Sequence, residues 1–272
     1  MRTLITGGSG FIGTNMVEYY VQKGYEVINI DLKCPKQLEY KDLWTKCDIR
    51  DYNHLFKTVK EFHPDFLIHL AASTGLTGKT LDDYSSNTLG VENILKVSKE
   101  IESINKTIFT SSMLVCKAGY YPSNDEDYCP TTLYGESKVI GEKTVRRYKS
   151  DCRWTIIRPT SIWGPWFGRT YRDFFDLIMR NRYFNFTGKM STKTYGYIGN
   201  VIYQIDSILT NQLSDGKTLY VGDYSPTRVD EWAKEIAQLT GSHVYTIPRI
   251  FVRLAAYLGD FAGILKLRFP MN

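Results

Sequence analysis

The chain has 272 residues, of which 43% are hydrophobic and 23% are charged, and its net charge at neutral pH is +5. That length exceeds one average domain and allows a large α/β domain with a smaller lobe attached to it. The mild positive excess is spread along the chain, which favours a small anionic ligand and gives no reason to expect nucleic-acid binding. No segment stays apolar for the length of a bilayer, so no membrane association is expected.

The cysteine pattern bears on the redox environment of the protein. An odd number of cysteines, without a C-x-x-C pair or the spacing of metal ligands, is typical of reduced thiols, so we expect no disulfide and no metal site. Met1 leads directly into the first predicted strand, and the missing leader predicts a cytoplasmic protein. The five cysteines are Cys34, Cys47, Cys116, Cys129 and Cys152.

The first predicted strand, residues 3–5, is followed by a glycine-rich turn, Thr6 to Gly13, and by helical periodicity over residues 11–23. Glycine permits a tight bend and close approach of the backbone, and the helix N-terminus directs unpaired N–H groups toward a pyrophosphate. In this context the turn predicts a dinucleotide site. The residues expected to contact the cofactor here are Gly7, Gly10, Phe11, Ile12 and Gly13.

Strand-like runs continue at residues 25–30, 66–69, 107–110 and 154–157, and helical patterns at 52–62, 83–101 and 134–149. This alternation predicts an α/β fold with a doubly wound parallel (Rossmann) sheet and a smaller C-terminal substrate-binding lobe. We expect an NAD-binding domain at 1–160 and mainly the substrate lobe at 161–272. A strand is predicted at 219–221 and a helix at 229–239. We expect these elements to alternate between returning to the sheet and completing that lobe. The amphipathic stretch 250–267 is expected to pack on the lobe rather than on a membrane surface.

Two acidic residues lie at strand ends where a nucleotide would bind. Asp31 follows the second strand, about twenty residues after the glycine loop, where a carboxylate accepts hydrogen bonds from the adenosine ribose. Its charge would repel a 2′-phosphate, which favours NAD over NADP, although Lys33 is close enough to weaken that repulsion. Asp48 either faces the adenine amino group or caps a helix. The small residues after His69, which are Leu70, Ala71 and Ala72, would let the backbone approach the cofactor, whereas His69 itself is interpreted as structural.

Tyr134 and Lys138 are four residues apart at the start of a predicted helix and therefore share one face. A free phenol has a pKa of about 10, but a nearby cation stabilises the phenolate and lowers that pKa. Tyr134 can then exchange a proton with a substrate hydroxyl, as hydride transfer to a nicotinamide requires. Ser111 and Ser112 end the fifth strand, where a hydroxyl can hydrogen-bond the reacting oxygen.

Together these residues resemble the extended short-chain dehydrogenase/reductases, specifically the NAD-dependent epimerase/dehydratase branch that acts on nucleotide sugars. The resemblance implies Tyr134 as the acid/base, Lys138 also bonding the nicotinamide ribose, Ser112 rather than Ser111 orienting the substrate oxygen, and Asn87 supporting the site. It further implies a homodimer formed through the helices at 83–101 and 134–149. The residues that carry it are Thr6 to Gly13, Asp31, Asp48-Ile49-Arg50-Asp51, His69-Leu70-Ala71-Ala72, Asn87 with Gly90 and Asn93, Ser111-Ser112, Tyr134 with Lys138, and Arg158-Pro159 before Gly164-Pro165. Asp48, Ile49 and Asn87 are assigned to the cofactor on this basis.

The departures from the family pattern bear on the reaction. The 4,6-dehydratases of the branch carry Asp-Glu after the strand-end hydroxyl, whereas this chain has Met113 and Leu114, neither of which can move a proton. Dehydration is therefore not expected. Leu114 also stands where the GDP-fucose synthase type has its catalytic cysteine, so Cys116 is not interpreted as a catalytic thiol. We expect at most two basic residues of the substrate lobe to bind a diphosphate, among Arg169, Arg172, Arg180, Arg182, Lys189 and Lys193.

The sequence thus predicts an NAD-dependent nucleotide-sugar epimerase or oxidoreductase in which Tyr134 assists hydride transfer at a ring carbon, expected to be C4. An alternative is an NAD(P)H-dependent reductase of an NDP-4-keto-6-deoxy sugar, which would use the same residues. An alternative of another class is a non-catalytic dinucleotide sensor, which would have no need of the Tyr134 and Lys138 pair. The expected partner is a nucleotide-diphosphate sugar.

Overall fold

The computed structural model describes residues 1–148, 152–188, 191–248 and 250. The chain divides into two compact units, here called the sheet unit, Met1–Phe167 with Tyr195–Tyr224, and the small unit, Gly168–Thr194 with Ser225–Asn272. The strands are β1 Arg2–Thr6, β2 Glu26–Asp31, β3 Trp44–Lys46, β4 Phe66–His69, β5 Lys106–Thr110, β6 Arg153–Pro159, β7 Ser161–Trp163, β8 Phe184–Phe186, β9 Thr192–Lys193, β10 Tyr195–Tyr197, β11 Thr218–Val221, β12 Thr227–Arg228 and β13 Tyr245–Ile247. The α-helices are α1 Phe11–Gln22, α2 Tyr52–Phe62, α3 Ser85–Glu100, α4 Leu133–Arg147, α5 Arg169–Met179, α6 Ile198–Thr210 and α7 Val229–Thr240.

A seven-stranded parallel sheet forms the centre of the sheet unit, in the order β11-β6-β5-β4-β1-β2-β3. The predicted α/β fold with a doubly wound Rossmann sheet is therefore confirmed. The order reverses beside β1, since the chain runs outward to β3 on one side and to β11 on the other. In such sheets ligands bind at the carboxyl ends of the strands beside that reversal.

Both faces of the sheet are covered because successive residues of a strand point to opposite faces. In β1, Leu4 belongs to the apolar cluster that includes Leu55 of α2 and Ile94 of α3. Its neighbour Ile5 belongs to the opposite cluster, which includes Met16 of α1 and Ile205 of α6. Both strand residues are fully buried.

The predicted elements agree with the structure mostly to within two or three residues at their ends. The predicted helix at 83–101 is divided, because residues Leu81–Tyr84 form a 3₁₀ turn closed by a Thr80–Asp83 capping box before α3 begins. The predicted strand at 219–221 is part of β11, which returns to the sheet beside β6. α6, which the sequence analysis did not predict, also covers the sheet although it lies within the expected substrate lobe.

The small unit has its own apolar cluster between α5 and α7. Ile178, Ala233, Ile236 and Ala237 are buried there, with the ring of Phe174 stacked on that of Trp232 at 5.4 Å between centroids. The described part of the unit also contains two short strand pairs, β8 with β13 and β9 with β12. The amphipathic stretch predicted at 250–267 lies outside the described residues except for the exposed Ile250.

Within the described ranges, no helix is both long and apolar enough to cross a bilayer. The same ranges contain no cluster of three or more His, Cys, Asp or Glu side chains arranged to hold a metal ion.

Candidate active site

The glycine-rich turn connects β1 to α1 and is shaped by close backbone packing. Gly7 has a positive φ of 75°, and a Cβ there would lie 2.6 Å from the backbone nitrogen of Ala71. A Cβ on Gly13 would collide with the carbonyl oxygen of Gly7. Side chains at these two positions would therefore fill the turn or push it away from α1.

The N-terminus of α1 suits an anion. Its N-cap, Gly10, supplies no side-chain hydrogen bond, and no acidic residue lies in the first turn. The first N–H groups of a helix have no partner within the helix, and the helix dipole favours negative charge beside them. The turn and this helix end together fit the pyrophosphate of a dinucleotide, with Gly10, Phe11, Ile12 and Gly13 at the anion-facing end.

Asp31 lies beside the glycine turn, as its assignment to the cofactor requires. Its carboxylate accepts hydrogen bonds from the backbone N–H groups of Ser9, at 3.1 Å, and Lys33, at 2.9 Å. These bonds orient the carboxylate at the end of β2, and each of its oxygens keeps a lone pair that can accept from a ribose hydroxyl. The Lys33 contact to Asp31 is through its backbone rather than its ammonium group.

Asp48 and Ile49 make their contacts with neighbouring groups of the protein. Arg50 forms an ion pair with Asp48 at 2.6 Å, and its hydrogen bonds lower the pKa of that carboxyl. Ile49 is buried in the core, where its side chain occupies the space that a Cβ on Gly90 would need. Its carbonyl oxygen accepts from the Asn93 amide at 2.9 Å.

The segment after β4 packs against the turn after β1. The backbone N–H of Leu70 donates to the carbonyl of Thr6 at 3.0 Å, and that of Ala71 donates to the Thr6 hydroxyl at 3.3 Å. Ala72 follows at a partly exposed position. The small side chains after Leu70 thus lie where the backbone of Gly7 makes its closest approach.

His69 is a buried residue at the end of β4. Its Nδ1 is 2.8 Å from the hydroxyl of Thr6. Burial, with a smaller contribution from the charge of Lys138, lowers the pKa of His69 to about 3. The imidazole is therefore neutral at physiological pH and links β4 to β1.

Tyr134 and Lys138 lie one turn apart on the buried face of α4. The Nζ of Lys138 is 5.9 Å from the centroid of the Tyr134 ring and donates to the carbonyl of Thr110 at 2.9 Å. Lys138 is 5% exposed, and burial lowers its pKa to about 8, while the nearby charge of Glu142 opposes that decrease. A fixed, buried ammonium beside a phenol favours the phenolate. Tyr134, which is 8% exposed, also contacts the Tyr84 ring at 6.1 Å between centroids.

The two hydroxyls after β5 have different partners. Ser111 donates to Oε1 of Glu142 at 2.5 Å, so its proton is engaged within the protein. Ser112 accepts from the backbone N–H of Leu114 at 3.1 Å, and this leaves its own proton able to reach a ligand. The geometry therefore favours Ser112 over Ser111 as a donor to a substrate oxygen.

Asn87 connects the segment after β4 to α4. Its side chain bonds both the N–H and the carbonyl of Ser73, at 2.8 and 3.0 Å. Its amide also donates to the Ser137 hydroxyl at 2.9 Å, on the turn between Tyr134 and Lys138. At 1% exposed, Asn87 supports the position of α4 rather than offering a free group to a ligand.

The sequence analysis missed a buried carboxylate one turn after Lys138. Glu142 is 3% exposed and pairs with Arg158 of β6, which is 1% exposed, through bonds of 2.9 and 2.8 Å. The spacing from Tyr134 through Lys138 to Glu142 repeats every four residues, which is the signal that was available in the sequence. Only the fold shows what Glu142 pairs with.

The basic residues predicted to bind a diphosphate belong to the small unit. Arg169, Arg172 and Arg180 line a cavity of about 570 Å³ on α5, together with two aspartates. Arg172 already pairs with Asp176 at 3.5 Å. Lys189 lies outside the described residues.

The comparison with known protein families identifies the chain. Residues 3–227 match the model of the NAD dependent epimerase/dehydratase family. The chain belongs to this family. It is accordingly an enzyme of a family whose members depend on NAD, and the similarity to the extended short-chain dehydrogenase/reductases expected from the motifs is confirmed.

Curated relatives and solved structures show the range of this family. A 3 beta-hydroxysteroid dehydrogenase/Delta 5-->4-isomerase of Mycobacterium tuberculosis is 26% identical over 264 residues, which cover 88% of this chain and 70% of that protein. A UDP-glucose 4-epimerase of Mycolicibacterium smegmatis is 28% identical over 183 residues, 61% of this chain and 57% of the relative. The crystal structure of UDP-glucose 4-epimerase with UDP-glucose from Thermotoga maritima matches 91% of this chain and 86% of its own, with a TM-score of 0.76 and 22% identity. This last likeness shows the shared fold.

Proposed function

We propose that this family member is a nucleotide-sugar epimerase that removes and restores hydrogen at C4 of a sugar ring while NAD stays bound. The observation that carries the proposal is the ammonium of Lys138, buried beside the Tyr134 ring. Burial of an ammonium there is unfavourable for the fold because it removes the charge from water, and the same loss of water lowers the pKa of Lys138 to about 8. Stabilisation of the Tyr134 phenolate would be a chemical function for the buried ammonium of Lys138.

In the proposed reaction Tyr134 takes the proton of a ring hydroxyl as the carbon attached to it is oxidised. Lys138 stabilises the phenolate before that transfer, and the Ser112 hydroxyl donates a hydrogen bond to the substrate oxygen, keeps its proton and orients that oxygen. When bound, NAD supplies the nicotinamide that accepts and returns a hydride. Tyr134 then returns the proton to the reduced sugar, so the chain ends in its starting protonation state.

The glycine turn, the α1 N-terminus and Asp31 are proposed to hold the cofactor. The Asp31 carboxylate would accept from the adenosine ribose, and its charge disfavours the 2′-phosphate of NADP. Lys138 is proposed to bond the nicotinamide ribose as well. The two positions after Ser112, Met113 and Leu114, hold no group that can move a proton, which argues against water elimination.

A second candidate is oxidation of a hydroxyl on a compound that is not a nucleotide sugar. The hydroxysteroid dehydrogenases among the relatives, which align with 88% of this chain, favour it. Tyr134, Lys138 and Ser112 would act in the same way on such an alcohol. A reductase of an NDP-4-keto-6-deoxy sugar would also use these residues but would exchange NAD(P)H in every cycle.

The first test is to denature the purified protein and identify any released dinucleotide by absorbance and mass. Stoichiometric NAD supports the epimerase, and empty protein that binds NADH or NADPH reversibly supports a reductase or dehydrogenase. The second step incubates the protein with UDP-hexoses, GDP-hexoses and a 3β-hydroxysteroid, each separately, and follows products by NMR and NADH absorbance. Binding of neither dinucleotide form would contradict the cofactor assignment.

A further inference from the structure

We propose that Ser111 and Glu142 are positioning residues, because their hydrogen bond fixes the end of β5 against α4 and so holds Lys138 beside Tyr134 and Ser112 toward the substrate. This inference rests on the proposed function. Neither residue is expected to touch substrate or cofactor. They act through Tyr134, Lys138 and Ser112, the three residues proposed to contact substrate or cofactor.

The argument begins with the periodicity of α4. Tyr134, Lys138, Glu142 and Arg146 are spaced by four and lie along one face of the helix. Two consecutive turns of that face bond two consecutive residues of the β5 end. Lys138 donates to the carbonyl of Thr110 at 2.9 Å, and Glu142 accepts from the hydroxyl of Ser111 at 2.5 Å.

Two attachment points constrain the helix more than one would. The sheet already holds the strand end, because the backbone N–H of Ser111 donates to the carbonyl of Ile157 in β6 at 2.7 Å. The bond from Lys138 to Thr110 attaches α4 to that fixed end at one point. The bond from Glu142 to Ser111, one residue further along the strand and one turn further along the helix, adds a second point, so α4 cannot turn about a single contact. Ser112 follows Ser111 directly, so the same bond also fixes the backbone that carries its hydroxyl.

Glu142 can serve as an anchor because other bonds already hold its carboxylate in place. Arg158 binds both carboxylate oxygens at 2.9 and 2.8 Å, the Tyr128 hydroxyl donates at 3.0 Å and Arg146 at 3.3 Å. Arg158 is held in turn by the carbonyl of Asp125 at 2.6 Å. A planar guanidinium that binds both oxygens fixes the orientation of a carboxylate, so Ser111 bonds a group that cannot rotate away.

The surrounding charges show why the position of Lys138 matters. Burial lowers the pKa of Lys138 to about 8, and Glu142 opposes that decrease. A looser attachment would move the ammonium away from the phenol or admit water between them, and either change weakens stabilisation of the phenolate. The titratable groups that face Lys138 and Glu142 are Tyr134 and Arg146 of α4, His69 of β4, Arg158 of β6 and Tyr128 of the loop before α4.

Ser111→Ala is the informative variant. Removing Glu142 would leave Arg158 and Arg146 as buried charges without their partner, so a loss of activity there could reflect a loss of folding. Ser111→Ala deletes only the bond to the strand end and leaves the carboxylate with its arginines and Tyr128. Ser98→Ala is the matched control, because Ser98 is also a buried serine, 4% exposed, whose hydroxyl lies 2.9 Å from that of Thr107 on the same strand.

The expected result is a fall in kcat for Ser111→Ala on the order of tenfold to a hundredfold, as a small misplacement of catalytic groups causes. The KM for substrate and the Kd for NAD should stay within about twofold of the wild-type values, since no binding group has been removed. Ser111→Thr, which keeps a hydroxyl, should recover most of the activity, and Ser98→Ala should keep its kcat. Equal kcat values for Ser111→Ala and Ser98→Ala would overturn the proposal.

A measurement without turnover separates this inference from the proposed function. The pKa of Tyr134 is read by NMR in protein carrying ¹³C-labelled tyrosine, with the resonance assigned from Tyr134→Phe. Ser111→Ala should raise that pKa by about half a unit or more relative to both the wild type and Ser98→Ala. An unchanged Tyr134 pKa refutes the positioning role, whereas a wild-type protein that turns over no alcohol refutes only the proposed function.

Discussion

Two buried basic side chains of the site have lowered pKa values, but their settings differ. His69 is neutral and bonded to Thr6, and it holds two strands together. Lys138 keeps an ammonium at neutral pH, with the Thr110 carbonyl and the Tyr134 ring as its neighbours. A buried charge is unfavourable unless it has partners, so Lys138 is the residue whose position calls for a chemical explanation.

Tyr134→Phe removes the hydroxyl that exchanges a proton with substrate. We expect kcat to fall by about 10²–10⁴, the usual contribution of a positioned general acid or base. NAD should bind as well as to wild type, since the glycine turn and Asp31 are unchanged. The measurement pairs steady-state rates with NAD titration, and Tyr121→Phe is the control because Tyr121 is 92% exposed. Retained turnover in Tyr134→Phe would contradict the role given to Tyr134, whereas a wild-type protein that binds NAD and turns over no substrate would favour the sensor hypothesis.

His69 makes the fold sensitive to acid. Its pKa is about 3 in the folded chain and 6.5 in the unfolded chain, so between these values the unfolded state binds a proton that the folded state does not. The stability that neutral His69 provides is complete above pH 6.5 and is lost as the pH falls toward 3, by about 1.4 kcal/mol per pH unit. The free energy of unfolding is measured with urea at pH 7 and at pH 5. Between these two pH values it should fall by about 2 kcal/mol less in His69→Gln than in the wild type. Identical losses in the two proteins would contradict this prediction.

At the scale of the elements, the start of α4 depends on a glycine. A Cβ at Gly135 would collide with the carbonyl of Leu114, which is two residues after Ser112. The hydroxyl of Thr132 caps the same turn by accepting from the Gly135 N–H at 3.0 Å. The first turn of α4, which carries Tyr134, can therefore lie directly against the segment after β5.

Gly135→Ala should separate these two segments. We expect a fall in kcat of about tenfold or more and a loss of about 1–3 kcal/mol in the free energy of unfolding, as overpacking produces. Gly75→Ala is the matched control, because a Cβ at Gly75 meets no atom within 4 Å. The variants are compared by steady-state kinetics and by urea unfolding. A Gly135→Ala enzyme with normal kcat would show that the close approach is not needed for catalysis.

The sequence predicted well those elements whose pattern is local. β4 and α2 agree with their predicted limits because a short apolar run between turns and a strong helical period are properties of adjacent residues. α6 was missed because its apolar residues follow a region that was interpreted as the substrate lobe from its composition. Its burial against the sheet depends on contacts with α1, which lies far away in the chain.

At the scale of the whole molecule, a homodimer through α3 and α4 remains a prediction. Leu89 is an apolar residue on α3 that is 42% exposed. If α3 meets its copy in a dimer, Leu89→Arg places an unpaired charge in an apolar contact and should favour the monomer. Sedimentation at micromolar concentration measures this, with Leu213→Arg as the control because Leu213 is 76% exposed outside these helices. A monomeric wild-type protein would refute the predicted dimer.

The sequence by itself determined the doubly wound fold, the dinucleotide turn and the Tyr134 and Lys138 pair. Each of these depends on residues close together in the chain, whose spacing sets a helix face or a strand-to-helix turn. Only the tertiary structure decided that Ser111 and Arg158 both bond the carboxylate of Glu142. It also decided that the Ser112 hydroxyl accepts a bond from the backbone and keeps its own proton for a ligand. These contacts join β5, α4 and β6, whose relative positions result from burial of both sheet faces, and no local pattern specifies which strand-end hydroxyl meets which helical side chain.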